Sequence, residues 1–212
     1  MSIRTKSFFS GSKLPCSRVL FLGYLWLNKV HVSSIVNISG VNPHTVCDFQ
    51  KHFRQLVSDS VEIEDVIIGG EGIEVEIDES KLGKREYYRG HHVEGVWAVG
   101  GVERTPERKV FLVKVEQRDR ETLFEIIRRH VRPGSIIYTD LWRGYAGLEN
   151  EGYQHHTANH SIQFLVPFTE IHTNTIEGTW NALKVQVRPR NRVKNIEDHL
   201  WEFIWRRNKD NL

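Results

Sequence analysis

Apolar positions change their period partway along the chain. Through the first 60 residues they recur at helical spacing. Val19, Leu20, Leu22, Tyr24, Trp26 and Leu27 predict one helix, and His31 to Ile38 predicts a shorter one. Ser39-Gly40 breaks the pattern. Asn42-Pro43 then offers a capping residue followed by proline at the first helical position. Phe49, Phe53 and Val57 share one face of the helix that follows. A helix, a short glycine turn and a second helix outline a candidate helix-turn-helix. Many helical hairpins that never touch DNA share that outline.

From residue 61 the pattern alternates. Strands are predicted over Ile73 to Glu79, Val93 to Val102 and Lys109 to Glu116, with a turn at Thr105-Pro106. Asp119 can cap a helix from Arg120 to Val131 that turns Leu123, Ile127 and Val131 inward. Pro133-Gly134 ends it, and a short strand covers Ser135 to Thr139. A small helix near Gly144 to Asn150, a strand within Ile162 to Val166, and helices over Thr175 to Val187 and Ile196 to Arg207 complete the chain. A meander followed by alternating helix and strand is an α/β order. It is the order of an RNase H-like core, a mixed sheet with flanking helices, here preceded by a small helical segment. The expected division is residues 1–60, helical, and 61–212, the α/β domain.

Composition changes this picture little. The 212 residues suit one domain with an appendage, and a 39% hydrophobic fraction is helped by six Trp, six Tyr and ten Phe. The two cysteines, Cys16 and Cys47, form no C-x-x-C, which leaves no cysteine zinc ribbon and two free thiols. The longest apolar run, Val19 to Leu27, is short of the roughly 20 residues a bilayer span needs, and no secretory signal precedes it. A protein neither in a membrane nor secreted is expected: nuclear if eukaryotic, in the cytoplasm or nucleoid if bacterial. The net charge is only +2, but it is unevenly spread. Ser60 to Ser80 carries eight acids and no Lys or Arg, whereas Lys184 to Lys209 carries eight Lys or Arg against three acids. Such zones suit cations and phosphates respectively, or are two solvated faces.

The candidate chemistry lies in acids at strand ends. Asp78 closes the first predicted strand and Asp140 the fourth. Neighbouring strands would bring both carboxylates to one rim, where open α/β sheets tend to place ligands. On the helix after Asn174, Ile176, Trp180, Leu183 and Val187 form the apolar stripe, and Glu177, Asn181, Lys184 and Arg188 the adjoining polar one. Glu177 can close a three-carboxylate site, with Lys184 two turns further along the same face. Three carboxylates suit one or two Mg²⁺ ions, with Mn²⁺ as an alternative, and such pairs serve in-line displacement at phosphorus. Each acid also has a structural explanation. Asp78 and Asp140 can be turn residues. Asn174 and Glu177 fit a variant capping box. Glu76 and Glu79 rival Asp78, with Glu76 on the same face and Glu79 on the other.

Several segments carry a likeness to a known family. They are Val75-Glu-Ile-Asp-Glu-Ser80, Arg89-Gly90, Trp97-Ala-Val-Gly-Gly-Val-Glu-Arg104, Arg132-Pro-Gly-Ser135, Thr139-Asp140-Leu-Trp142 with Tyr145, Asn159-His160-Ser161, and His172-Thr-Asn-Thr-Ile-Glu177 with Trp180 and Lys184. In this order they resemble the catalytic domain of Merlin-type transposases, shared with ISXO-type insertion-sequence transposases. Glu177 follows Asp140 after 36 intervening residues, similar to the family's acidic spacing. The resemblance covers about residues 7–207 and is strongest over 73–207. It implies a DDE triad with an associated lysine: Asp78, Asp140, Glu177 and Lys184. It implies cleavage and strand transfer at terminal inverted repeats, with those repeats and target DNA as partners and a homodimer or larger oligomer as the working form. His160 and His172 fall in motifs at the expected edge of the site, where they can meet DNA. Arg188, Arg190, Arg192 and Lys194 can bind phosphates, or form a solvated loop between helices. Full-length relatives often carry a zinc-ribbon module ahead of the point where this chain begins. A non-catalytic DNA-binding descendant is therefore the alternative.

Overall fold

The computed structural model describes residues 5–62, 66–83, 95–158, 173–187, 191–192 and 195–209. It divides into two compact units, Met1–Asp59 and Ser60–Leu212.

The first unit is helical. Its elements are α1 (Cys16–Leu27), α2 (Val32–Ser39) and α3 (Pro43–Ser60). Gly40 ends α2 in the left-handed region at φ 64°, where a side chain would be strained. The Asn42 side chain accepts from the His44 N–H at 2.9 Å, the capping bond expected at the start of α3. Val19, Leu22 and Trp26 of α1, Ile35 of α2, and Val46, Phe53 and Val57 of α3 are buried. Trp26 and Phe53 stand 5.6 Å apart, and Phe8 stacks on Phe53.

The second unit is a five-stranded sheet in the order β3-β2-β1-β4-β5. Its strands are β1 (Glu74–Leu82), β2 (Val96–Glu103), β3 (Val110–Val115), β4 (Ile136–Thr139) and β5 (Gln154–Thr157). The first three form an antiparallel meander, and β4 and β5 add in parallel. This is the RNase H-like arrangement, with helices on both faces. Helix α4 (Arg120–His130) lies on one face, and α5 (Asn174–Gln186) and α6 (Ile196–Lys209) lie on the other. Alternation along β1 divides its side chains between the faces. Val75 and Ile77 enter the core under α4, and Leu82 enters the core beneath α5 and α6.

Local signals set the element ends. Asp119 caps α4 by accepting from the Thr122 N–H at 2.9 Å, and Arg128, Arg129 and His130 fill its last turn, where cations favour the helix dipole. Asn208 near the end of α6 pairs with both backbone groups of Val110, at 2.9 and 3.0 Å, and pins α6 to the edge strand β3.

Two expectations need correction, and one strand was not expected. The first strand does not end at Asp78. It runs to Leu82, because β2 pairs with it as far as Leu82 opposite Val96. The small helix after Asp140 is two 3-10 turns, Arg143–Tyr145 and Leu148–Glu151. The edge strand β5 lies in Gln154-His-His-Thr157, which has no apolar alternation. The strand expected within Ile162 to Val166 lies outside the described residues.

Candidate active site

Asp78 sits within β1, directly opposite Gly100 of β2. On its other side the parallel pairing with β4 brings Glu76 level with Tyr138. Two further residues along each strand bring Asp78 level with Asp140, just past the end of β4. The two acids thus meet where β4 stops and β1 continues. The Asp140 carboxylate accepts from the Trp142 N–H at 2.9 Å, a tight turn that holds it at the strand exit.

Helix α5 supplies the third acid. Its capping residue is Thr173, so Asn174 is already helical and Glu177 lies in the first turn. The Glu177 N–H bonds to the Thr173 carbonyl at 3.2 Å. The expected Asn174–Glu177 capping box is therefore not the arrangement. Two backbone donors of this turn go instead to the sheet: the Glu76 carboxylate accepts from the Thr175 N–H at 2.8 Å and the Ile176 N–H at 2.9 Å. Further along α5, the Trp180 indole donates to Asp78 Oδ2 at 3.2 Å. Gly100 makes room for that ring, since a Cβ there would come within 2.8 Å of it.

Two acids of β1 have raised proton affinities. Burial pushes the Asp78 carboxyl up to about 6, and the negative charges of Asp140 and Glu177 add to the rise. The Glu79 carboxyl rises to about 7, again chiefly through burial, although the Tyr145 hydroxyl donates to it. Arg118 stands 3.7 Å from Glu79, stacked on Trp97. The charges of Asp140 and Glu177 thus both reach Asp78. Among the described residues, no group of three or more His, Cys, Asp or Glu side chains is placed to hold a metal ion.

Of the other expected site residues, Lys184 and Arg192 are described. Lys184 is half-buried on α5, two turns beyond Glu177. Arg192 donates to the Val187 carbonyl at 2.9 Å and to the Lys184 carbonyl, closing the end of α5. Arg188, Arg190, Lys194, His160 and His172 lie outside the described residues. His155 bonds Thr139 at 2.9 Å and His156 packs on Tyr138, both as parts of β5. Sequence reasoning missed the roles of Glu76, Trp180 and Gly100. Glu76 and Asp78 were legible as one face of a strand, but their partners lie about 100 residues away.

The family profile of the ISXO2-like transposase domain matches residues 56–208. The chain belongs to that family. It is also 35% identical over 106 residues to the "uncharacterized transposase-like protein" of Haemophilus influenzae, a span that is 49% of this chain and 85% of that one. Among the described residues, no helix is long and apolar enough to cross a membrane.

Proposed function

We propose that this chain is a DDE transposase of the Merlin-like type that cleaves DNA at terminal inverted repeats and transfers the strand to a target. The observation that carries the reading is the level placement of Asp78 and Asp140 at the end of β4, with the charge of Glu177 reaching Asp78. The negative charges of Asp140 and Glu177 acting on Asp78 favour a cation there. Their oxygens suit Mg²⁺, or Mn²⁺ in its place, and Asp78, Asp140 and Glu177 are the residues that would hold it. When bound, a pair of such ions supplies positive charge to both the attacking and the leaving oxygen of an in-line displacement. The protein's own part is positional. Trp180 orients Asp78 and the turn at Trp142 orients Asp140. Lys184 contributes a point charge for a phosphate on the same helix face as Glu177. Arg188, Arg190, Lys194, His160 and His172 would contact DNA around the cut, and two copies of the chain would bring two DNA ends together.

A second reading is a non-catalytic DNA-binding descendant. The basic stretch Arg188 to Lys194 supports it, since phosphate binding needs no carboxylate. One experiment separates the two. Plasmid DNA carrying the inverted repeats that flank the coding sequence is incubated with the protein and Mg²⁺ or Mn²⁺. The first reading expects cleavage that Asp140→Ala abolishes. Salt-dependent binding without cleavage, equal in wild type and Asp140→Ala, establishes the second reading.

A further inference from the structure

Glu76 is fully buried, with 0% of its side chain exposed. A carboxylate in that position is costly unless its oxygens are filled. Here both are. Arg104 Nε donates to Oε1 at 2.7 Å, and Oε2 accepts the Thr175 and Ile176 N–H groups. Arg104 is itself held by Glu74 at 2.9 Å and by the Tyr138 ring, 4.1 Å from its guanidinium carbon. The two amides are those that a capping side chain normally satisfies at a helix start. Thr173, the capping residue, makes no such side-chain bond. A strand residue 99 and 100 positions away supplies the cap instead.

Another hydrogen bond joins α5 to the same face of β1. It runs from the Trp180 indole to Asp78. Glu76 and Asp78 are two residues apart, about 6.6 Å along a strand. Thr175 or Ile176 to Trp180 is four or five residues, about 6 to 7.5 Å along a helix. The spacings match, so α5 is fixed along β1 at two points, and Glu177 lies between them.

We infer that Glu76 is a positioning residue: its carboxylate latches the first turn of α5 to β1 and so sets where Glu177 stands relative to Asp78. This rests on reading Asp78 and Glu177 as acids of the reacting centre. Both Glu76 oxygens are taken up within the protein, by Arg104 and by the Thr175 and Ile176 amides.

The test is Glu76→Gln. Glutamine keeps the shape, but its NH₂ must face either Arg104 or the two amides, so a donor meets a donor. The measurements are cleavage of the repeat-bearing plasmid across a Mg²⁺ titration, binding of the same DNA, and amide exchange at Thr175 and Ile176. The latch predicts a folded variant with DNA affinity within about twofold of wild type. Cleavage falls at least tenfold, the Mg²⁺ concentration for half-maximal rate rises, and Thr175 and Ile176 exchange faster. A role in stability alone would lower the melting temperature without moving the Mg²⁺ dependence. Wild-type cleavage and Mg²⁺ dependence in folded Glu76→Gln would overturn the latch. Where Glu76→Gln fails to fold, Arg104→Lys decides by the same measurements, because it removes the Nε donor and keeps the charge. A wild type that cleaves nothing with either ion overturns the functional reading instead. The latch is then judged by exchange at Thr175 and Ile176: faster in the variant, it stands; unchanged, it falls.

Discussion

Strand β1 sends adjacent acids to opposite faces of one sheet, and the two faces treat them differently. Glu79, on the α4 face, meets a tyrosine hydroxyl and an arginine, along with the charges of Asp78 and Asp140. Asp78, on the α5 face, meets an indole N–H and the charges of two other acids. Both are half-buried and both hold their protons more tightly than usual. The difference lies in what answers the charge. Glu79 is answered by a cation of the protein, Arg118, whereas Asp78 is answered by the neutral Trp180 indole and a backbone donor. Burial of an acid is therefore a poor guide to function, and the sign of its neighbours is a better one.

The largest expected effect tests that contrast. Asp78→Asn should lower metal-dependent cleavage by about a thousandfold or more, the scale of losing a transition-state charge contact. Glu79→Gln should cost about tenfold or less, through its neighbours. Single-turnover cleavage of the repeat-bearing plasmid measures both. Equal losses would erase the distinction between the faces.

Next in size are two adjacent glycines, one per face. A Cβ on Gly100 would stand 2.6 Å from Leu112 and 2.8 Å from Trp180, and one on Gly101 would stand 2.3 Å from Phe111. Gly100→Ala and Gly101→Ala should each destabilise the domain by about 1–3 kcal/mol, the usual cost of overpacking. Urea denaturation measures this. Only Gly100→Ala should also depress cleavage at temperatures where both variants are folded, because it displaces the ring that orients Asp78.

These residues also mark what the sequence could reveal. The period of the apolar positions located α1 through α6 and four of the five strands. Capping at Asp119 and Asn42 was legible because the partner lies two or three residues away. Strand β5 was missed because a parallel edge strand of Gln-His-His-Thr is stabilised by backbone pairing with β4 and needs no apolar stripe. The end of β1 was misread because Asp78, Glu79 and Ser80 break the alternation while pairing with β2 continues. The acids themselves could be picked out by type, spacing and family likeness. What holds them could not: the Glu76 cap and the Trp180 bond join positions that become neighbours only once α5 crosses the sheet.

The acids also tie stability to pH. The folded-state pKa values of Asp78 and Glu79, about 6 and about 7, lie above the ordinary 3.8 and 4.5. The folded state therefore retains protons that the unfolded chain has released. Their contribution to stability is full below pH 4 and is lost as pH rises through 6 and 7. Partial solvent screening keeps each contribution on the order of 1–2 kcal/mol. Without metal, Asp78→Asn should be more stable than wild type at pH 8, with the gap shrinking toward pH 5. His130 works in the opposite direction, since burial lowers its pKa and disfavours the folded state as pH falls. The difference between Asp78→Asn and wild type isolates the aspartate from it. A gap independent of pH would show that Asp78 does not titrate as a crowded acid.

The smallest effect concerns Arg192, expected from the sequence to meet phosphate. Its guanidinium bonds the carbonyls of Lys184 and Val187, groups that a helix end otherwise leaves unsatisfied. A side chain engaged this way closes α5 at the end away from the Glu76 cap. Arg192→Gln should lower stability by about 1 kcal/mol, the ordinary value of hydrogen bonds at a helix end. Its DNA binding should keep the wild-type dependence on salt. A phosphate contact would behave otherwise, because each one lost reduces the slope of log affinity against log salt by about one. A flatter slope with unchanged stability would return Arg192 to the DNA-binding surface, leaving the last turn of α5 without the cap that balances the latch at its first.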